Sequence, residues 1–387
     1  MNPGFQAWLG DRLEEIEVQG LWRETTPIAR REGKRVVLAD GRDVVDFASN
    51  DYLGLATHPV LKRGAAQAVQ GFGAGSGAAR LLSGTPELFS ALEEAIARWK
   101  GTEASLCFSS GYAASTGALK ALFGPGDWVV FDKLCHACLV DGVRDSGASF
   151  RVFPHNRLEG LVERLSWASE QVQSGGRLWV VTESVFSMDG DQASLADIAE
   201  IAQRFDACLF VDEAHACGLW GERGSGLVEA QGLTEVVDVQ LGTLGKAVGA
   251  AGGFISGSAS LIAYLRHRAR SFLFSTAPVP AVAGAALEGI RWIQSSAGAS
   301  ARDRLREWRG LFEERSGFGS ASPIVPIPIG DERDAVARAR DLMARGFWAP
   351  AVRFPTVARG RARLRVSLAA DHSRQDLEGL AQALLNS

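Results

Sequence analysis

Two stretches decide the fold, Cys208-Leu-Phe-Val-Asp-Glu-Ala-His215 and Gln240-Leu-Gly-Thr-Leu-Gly-Lys-Ala-Val-Gly249. Each is predicted to be a short apolar strand that is followed at its carboxyl end by a polar group, Asp212 in the first and Lys246 in the second. Ligands of parallel α/β sheets bind beyond the carboxyl ends of the strands. The two stretches therefore predict an α/β fold with a site at this edge of the sheet.

The region from about residue 60 to 275 alternates between apolar runs and helical patterns, such as Glu87–Trp99, Tyr112–Phe123 and Ser194–Phe205. Alternation of this kind predicts a mostly parallel, seven-stranded sheet that is covered on both faces. The predicted strands are Ala104–Phe108, Asp127–Phe131, Ser149–Phe153, Leu178–Thr182, Ala207–Val211, Val237–Gln240 and Gly253–Ser256.

The flanking regions predict two further parts. Residues 1–50 form an N-terminal segment with a helix and a hairpin whose turn is Asp40-Gly41. Residues 51–276 form the large domain, and residues 277–387 form a smaller C-terminal α/β domain. The elements predicted in that domain are a helical stretch over 281–315, an edge strand Ile324–Ile329 marked by its prolines, a helix over 332–345 and a strand Arg361–Leu368.

Composition excludes several classes of protein. The chain has 387 residues and a formal net charge of −4, which argues against nucleic acid or an anionic membrane as the main partner. The start of the chain lacks the pattern of a signal peptide, and no stretch is long and apolar enough to span a membrane. The five cysteines do not suggest a disulfide framework, and Cys135-His-Ala-Cys138 lacks a second ligand pair for a metal. A reducing cytoplasm is the expected location.

The polar groups at the strand ends indicate pyridoxal 5′-phosphate (PLP) chemistry. Lys246 can form a Schiff base with an aldehyde, and Asp212 can keep a pyridinium nitrogen protonated. A phosphate loop of the Walker type is excluded because Gln240 stands at its first glycine and Ala247 follows the lysine. His215 is then a candidate to hydrogen-bond the phenolic oxygen of the cofactor or its imine region.

Three further segments are weaker candidates for the same site. Phe108-Ser-Ser-Gly-Tyr112 is either a phosphate-binding helix N-terminus or a plain helix cap. His136 either stacks on the cofactor ring or is a structural histidine. In Glu183-Ser-Val-Phe-Ser-Met-Asp-Gly190, Ser187 or Glu183 faces the cofactor, or the segment is only a turn.

In this order, these residues resemble the α-oxoamine synthase family of fold-type I PLP enzymes, and the resemblance covers almost the whole chain. It also includes Asp46-Phe-Ala-Ser-Asn-Asp-Tyr-Leu-Gly-Leu55, Gly73-Ala-Gly-Ser-Gly77, Arg80-Leu-Leu-Ser-Gly84, Phe186-Ser-Met-Asp-Gly190 and Arg361-Ala-Arg-Leu-Arg365. Gly20-Leu-Trp-Arg23 and Arg353-Phe-Pro-Thr-Val357 favour the member of the family that acts in biotin biosynthesis.

The resemblance implies a role for each matching residue. Lys246 carries PLP and then acts as acid and base at the substrate Cα, while Asp212 binds the pyridinium and His215 the phenolate oxygen. His136 stacks on the ring and borders the substrate. The other implied PLP contacts are Gly111, Tyr112 and Thr243 at the phosphate, Ser187, and Ser275 or Thr276 from a second subunit. The implied substrate contacts are Asn50 and Arg353 at the amino-acid carboxylate, and Thr356 and Arg23 at the acyl substrate.

The implied reaction is a decarboxylative condensation of L-alanine with a pimeloyl thioester of coenzyme A or of an acyl carrier protein, in a homodimer with its active sites at the interface. A 2-amino-3-oxobutyrate ligase, a 5-aminolevulinate synthase or a serine palmitoyltransferase has nearly the same catalytic residues. A catalytically silent binding protein on the same fold is the alternative outside enzymes. A serine hydrolase is disfavoured because the chain lacks a Gly-x-Ser-x-Gly elbow.

Overall fold

The computed structural model describes residues 1–386, which form helices and strands in alternation. The strands are β1 (Ile28–Glu32), β2 (Arg35–Leu38), β3 (Asp43–Asp46), β4 (Ala104–Phe108), β5 (Trp128–Asp132), β6 (Ser149–Phe153), β7 (Leu178–Glu183), β8 (Cys208–Asp212), β9 (Val239–Thr243), β10 (Gly253–Gly257), β11 (Ile324–Gly330), β12 (Phe347–Trp348), β13 (Ala351–Val352) and β14 (Ala362–Ser367). The helices are α1 (Pro3–Val18), α2 (Pro59–Phe72), α3 (Glu87–Lys100), α4 (Gly111–Leu122), α5 (Ala137–Ser146), α6 (Leu158–Ser169), α7 (Leu195–Arg204), α8 (Leu227–Ala230), α9 (Ala259–Arg268), α10 (Arg270–Leu273), α11 (Pro280–Ile293), α12 (Ser296–Ser316), α13 (Glu332–Ala344) and α14 (Arg374–Leu385).

The chain divides into two compact units, and the larger one consists of residues 50–307 with 369–371. The smaller unit consists of residues 1–49 and 308–368 together with the chain from His372 onward. The sequence prediction treated residues 1–50 as a separate segment and began the small domain at residue 277. In the structure, the N-terminal strands join the smaller unit because β3 pairs in parallel with β12.

The larger unit contains the seven-stranded sheet, in the order β4-β10-β9-β8-β7-β5-β6. The neighbouring strands from β9 to β6 run parallel, and β10 is antiparallel to both of its neighbours. All seven predicted strands are confirmed, with ends that shift by no more than a few residues. β7 and β9 are buried along their whole length, as expected for strands with both faces covered.

Register brings the polar strand ends together. Glu183 at the end of β7 lies opposite Asp212 at the end of β8, and Asp212 lies opposite Leu241 of β9. Because parallel strands end at the same edge, side chains from segments far apart in sequence converge there. The apolar core behind this edge includes Phe108, Val181 and Phe210, all nearly inaccessible to solvent.

The helical stretch predicted over residues 281–315 is interrupted, so this prediction is corrected. α11 ends at Ile293 and α12 begins at Ser296. Ser295 interrupts the stretch because its hydroxyl donates to the carbonyl of Trp292, while its carbonyl accepts the N–H of Ala299. Serine competes for backbone hydrogen bonds in this way at helix ends.

The smaller unit contains two sheets. The first has the order β1-β2-β3-β12, and the predicted turn at Asp40-Gly41 is present between β2 and β3, with Gly41 at φ +88°. The second has the order β11-β14-β13, which places the proline-containing β11 at an edge, as predicted. β1 was not predicted because its sequence, Ile-Ala-Arg-Arg-Glu, has no apolar alternation. Within residues 1–386, no helix combines the length and the apolar character that a bilayer-crossing segment needs.

Candidate active site

A cavity of about 210 Å³ lies at the carboxyl edge of the seven-stranded sheet, within the larger unit. It is somewhat larger than the roughly 150 Å³ engineered cavity that holds benzene, so it has room for one substituted aromatic ring. The residues that line it come from the ends of three strands, the loops that follow two of them and the starts of two helices: Gly111, Tyr112, His136, Cys138, Glu183, Asp212, Ala214, His215, Leu241, Gly242, Thr243 and Lys246.

A chain of hydrogen bonds runs through the cavity from Lys246. Its Nζ lies 2.9 Å from Nε2 of His215, and Nδ1 of His215 lies 2.7 Å from the hydroxyl of Tyr52. That hydroxyl donates to Oδ1 of Asn50 over 3.1 Å. When Lys246 is protonated it can only donate, so Nε2 then accepts, Nδ1 carries the ring proton and the Tyr52 oxygen accepts it. The four side chains thus form one directed network that fixes the position of Lys246.

Close packing of the lysine turn holds this network together. Gly249 has φ +75°, and a Cβ there would lie 2.6 Å from Cβ of Leu55 and 2.7 Å from the backbone nitrogen of Ala56. Any larger residue is strained at this φ and would also push residues 55–56 away. Glycine at this position therefore lets the Lys246 turn pack against the segment that carries Asn50 and Tyr52.

Asp212 supplies a buried carboxyl to the same cavity. One of its oxygens accepts the N–H of Ala214 over 2.7 Å. Burial raises the pKa of Asp212 above its usual value, and the nearby Lys246 opposes this rise. A cationic ring nitrogen at this carboxyl supplies the charge that favours the ionised form.

The loop after Asp212 is held by a fully buried ion pair. Nζ of Lys100 lies 2.5 Å from Oε2 of Glu213 and donates to the carbonyl of Ser225 over 2.8 Å. Burial is the largest single influence and would lower the pKa of Lys100, but the charge and hydrogen bond of Glu213, together with the charges of Cys217 and Glu229, outweigh it and raise that pKa. The other oxygen of Glu213 accepts the N–H of Val228. This pair fixes the chain between Asp212 and His215.

A second buried carboxyl, that of Glu183, lies beside Asp212. It accepts the backbone N–H of His136 over 2.5 Å. Burial raises the pKa of Glu183 well above its usual value, and the neighbouring Asp212 raises it further. Glu183 thus fixes the backbone of His136, and its raised pKa favours the neutral carboxyl beside Asp212.

His136 stands at the N-cap of α5 and lines the cavity. Its Nδ1 accepts the N–H of Cys138 over 3.2 Å and lies 3.0 Å from the thiol sulfur of that residue. Desolvation lowers the pKa of His136 below its usual value, against the opposing charge of Asp212. The ring is therefore held against the first turn of the helix.

The N-terminus of α4 provides backbone donors at another wall of the cavity. Ser110 caps this helix by accepting the N–H of Ala113, which leaves the first two N–H groups, those of Gly111 and Tyr112, available to an anion. Thr243 lies beside them, and its hydroxyl donates to the carbonyl of Gly252. This wall suits a phosphate group, and together with Lys246 and Asp212 it fits PLP.

Ser187 is buried in the turn after β7, and a charged network secures this turn. His155 lies 2.9 Å from Asp132 and 2.8 Å from Asp191, and its ring meets Phe186 edge to face. Burial would lower the pKa of His155, but its hydrogen bonds to the two aspartates raise it to about 10. Ser187 is not among the residues that line the cavity.

The remaining predicted residues are not among those that line this cavity. Thr276 forms a bridge with Ala79, and the hydroxyl of Ser275 donates to the carbonyl of Thr276. In the smaller unit, Arg353 donates to the carbonyls of Gly20 and Trp22. In the same unit, Arg23 donates to the carbonyl of Phe354 over 3.1 Å, and Thr356 is exposed.

A larger cleft of about 640 Å³ lies at the opposite edge of the seven-stranded sheet, beside Trp179 and Cys208. It contains no lysine, and its carboxylates are exposed at its rim. The smaller cavity is therefore the candidate active site, because it alone of the two combines a lysine, a buried aspartate and a helix N-terminus.

Comparison with known proteins assigns this arrangement to a family. The aminotransferase class I and II family matches residues 42–384. The chain belongs to this family. Its relatives include the 8-amino-7-oxononanoate synthase of Geobacter sulfurreducens, 44% identical over 97% of this chain and 96% of that protein. Another is the enzyme of the same name from Anaeromyxobacter dehalogenans, 44% identical over 99% of this chain and 96% of that protein.

Solved structures with a similar fold support the same assignment. A serine palmitoyltransferase from S. paucimobilis with PLP and myriocin bound has a TM-score of 0.90 at 27% identity, over 99% of this chain and 97% of that chain. An 8-amino-7-oxononanoate synthase from Francisella tularensis has a TM-score of 0.75 at 25% identity, over 89% of this chain and 97% of that chain. The resemblance to the α-oxoamine synthases, fold type I and the PLP cofactor are thereby confirmed, and the protein is an enzyme.

Two contributors to the site were not predicted. Tyr52 is fully buried and joins His215 to Asn50, although it lies 163 residues before His215. Cys138 contacts His136 from within the first turn of α5. The segment that contains Tyr52 was noted in the resemblance, but no local pattern distinguishes a buried tyrosine in a core from one in a site.

Proposed function

We propose that this enzyme makes 8-amino-7-oxononanoate, the biotin precursor, by decarboxylative condensation of L-alanine with a pimeloyl thioester. The observation that carries the proposal is the convergence of Lys246, Asp212 and His215 with the N-terminus of α4 around one cavity. Relatives that are 42–44% identical over nearly the full chain are named 8-amino-7-oxononanoate synthase.

PLP, when bound, supplies an electron sink that stabilises negative charge at the amino-acid Cα. Lys246 takes and returns the proton at this carbon, and its amine is held within reach by His215 and Tyr52. Asp212 would hold the ring nitrogen in its charged form, and the N–H groups of Gly111 and Tyr112, with Thr243, would hold the phosphate. His136 would cover the ring, and Ser187 is proposed as a further cofactor contact.

The proposed contacts for the amino-acid carboxylate are Asn50 and Arg353. Asn50 already belongs to the network of Lys246, which supports its place next to the reacting carbon. Arginine suits a carboxylate because its guanidinium can donate to both oxygens at once. Thr356 is proposed to contact the acyl substrate.

A cavity of about 400 Å³ in the smaller unit supports an acyl site with Arg23. It is lined by Leu13, Ile16, Leu21, Trp22, Arg23 and Pro355, so one cation stands among apolar side chains. A pimeloyl group has the complementary chemistry, a methylene chain that ends in a carboxylate.

We also propose a homodimer, based on an exposed apolar surface next to Ser275 and Thr276. The surface residues Leu81, Leu82 and Phe274 are 52%, 80% and 72% exposed. Their two segments are joined by the hydrogen bond from Ala277 to the carbonyl of Ala78. Exposed apolar patches of this kind mark interaction surfaces, and a partner there is expected to receive Ser275 or Thr276 in its own site. The five free cysteines support a reducing, cytoplasmic location.

Serine palmitoyltransferase activity is the second candidate, favoured by the TM-score of 0.90 to enzymes of that name. Sequence identity to them is 27–29%, well below the 42–44% to the 8-amino-7-oxononanoate synthases. We therefore rank it second.

A substrate panel separates the two candidates. The purified holoenzyme is incubated with L-alanine, glycine or L-serine, each with pimeloyl-CoA and with palmitoyl-CoA, and the products are identified by mass. We expect 8-amino-7-oxononanoate from L-alanine with pimeloyl-CoA as the dominant product. A dominant product from serine with palmitoyl-CoA contradicts the proposal and supports the second candidate.

The cofactor lysine is tested independently of the substrate. Borohydride reduction of the holoenzyme followed by peptide mapping is expected to leave the pyridoxyl group on the peptide of Lys246. Lys246→Ala should lose the label, whereas Lys62→Ala, at an exposed position on α2, should keep it. A label on another lysine contradicts the assignment of the site.

A further inference from the structure

The geometry at the start of α5 defines the protonation state of His136. The backbone N–H of Cys138 can only donate, and it points to Nδ1 of His136 at 3.2 Å. Nδ1 must therefore offer a lone pair. A neutral imidazole whose Nδ1 accepts carries its single proton on Nε2.

The thiol of Cys138 adds a second donor at the same nitrogen. Its sulfur lies 3.0 Å from Nδ1, and the side chain is 4% exposed. Burial raises the pKa of Cys138 to about 12, so the thiol keeps its proton at neutral pH. Protonation of Nδ1 would bring a third hydrogen to a nitrogen that already faces two donors.

We propose that Cys138 is a positioning residue, which together with its own backbone N–H fixes His136 as the neutral tautomer with the proton on Nε2. The inference depends on the proposed function, since it assigns the ring to a cavity that holds a cationic cofactor. A neutral ring keeps another positive charge away from the pyridinium and Lys246, and it keeps Nε2–H as its one donor to the cavity.

Other charged groups around His136 also influence its pKa. Asp212 at the end of β8 and Asp141 on α5 favour the protonated ring, whereas Lys246 after β9 disfavours it. Glu183 at the end of β7 holds the backbone N–H. None of these groups contacts Nδ1 in the structure, so the choice of tautomer depends on Cys138.

Nitrogen-15 NMR of holoenzyme labelled in its imidazoles tests the proposal without any substrate. The His136 signals are assigned by their loss in His136→Gln. In the wild type we expect an unprotonated Nδ1 and a protonated Nε2 at neutral pH, and protonation of the ring only at a lower pH than for an ordinary histidine. A wild-type Nδ1 that carries the proton overturns the proposal. The tautomer is read on the wild-type enzyme, and only the assignment of the signals uses a variant.

Variants then test the thiol itself. In Cys138→Ala the pKa of His136 is expected to rise by about half a unit to one unit, because a hydrogen bond to the neutral ring is lost. The acidic limb of the kcat/KM profile should move by the same amount. Cys138→Ser keeps a donor and should restore both values, and Cys208→Ser, a distant control at the start of β8, should change neither.

The outcomes separate this inference from the proposed function. Cys138→Ala with an unchanged His136 titration and an unchanged acidic limb overturns the role of the thiol. Failure of the substrate panel would leave the tautomer measurement intact, because that spectrum is recorded on the enzyme with PLP alone.

Discussion

Tyr52 is the residue on which the network of Lys246 depends most. Its hydroxyl links His215 to Asn50. Tyr52→Phe keeps the ring and removes that link, so His215 loses the partner of its Nδ1 proton. We expect kcat/KM to fall about tenfold, in line with the loss of roughly one net hydrogen bond at a buried site.

Steady-state kinetics with L-alanine check this expectation, with Tyr264→Phe as the matched control. Tyr264 lies on α9 and is 46% exposed, so removal of its hydroxyl should leave kcat/KM unchanged. Equal losses in both variants would show that the network does not support Lys246.

Arg23 is expected to select for the acyl substrate. Arg23→Ala removes the only cation among the side chains that line the 400 Å³ cavity, so KM for pimeloyl-CoA should rise by about tenfold or more, while KM for L-alanine stays the same. The control is Arg12→Ala on α1, which removes an exposed arginine that pairs with Glu15. A parallel rise of both KM values would contradict a specific acyl contact.

At the scale of elements, His155 joins the ends of β5 and β6 to the turn that carries Ser187. Its folded-state pKa of about 10 lies above its usual 6.5, so its stabilisation is complete below pH 6.5 and is lost as the pH rises toward 10. His155→Gln should therefore lower the thermal midpoint at pH 6 by several degrees and by much less near pH 10.

Thermal unfolding of the wild type and of His155→Gln at the two pH values measures this difference. His267 is at the exposed end of α9, so His267→Gln provides a control whose midpoint should follow the wild type at both values. A destabilisation by His155→Gln that is the same at pH 6 and pH 10 would mean that the charge of His155 contributes nothing.

The strands of the large sheet could be predicted because each is a compact apolar run between turn residues. Because the strands were predicted to be parallel, their carboxyl ends were expected at one edge of the sheet. Asp212 and Lys246 were therefore expected to lie close together there. The break at Ser295 could not be predicted, since a single serine within an Ala- and Arg-rich stretch is compatible with a continuous helix. Tyr52 and Cys138 act through contacts that no local pattern encodes.

At the scale of the whole molecule, the exposed surface of Leu81, Leu82 and Phe274 predicts self-association. Leu82→Asp places a charge at the most exposed of these positions and should convert a dimer to a monomer in sedimentation experiments. Val18→Asp, at a 74% exposed position at the end of α1, should leave the dimer intact. A wild-type monomer at micromolar concentration contradicts this part of the proposal.

The composition of the two units depends on long-range pairing. Val45 of β3 pairs with Phe347 of β12, and the strands between them in sequence belong to other sheets. A sequence pattern reports the neighbours of a residue along the chain, so it predicted a separate N-terminal segment. Only pairing across about three hundred residues joins that segment to the C-terminal strands.

The buried ion pair of Lys100 and Glu213 has a consequence for how this lineage can diverge. Removal of either partner leaves the other charge stranded away from water, at a cost of about 3–5 kcal/mol, whereas joint replacement by apolar residues of similar volume can be neutral. Natural variants that differ at one of these positions should therefore differ at the other as well. The two residues would then change together during evolution, while the loop from Asp212 to His215 keeps its position.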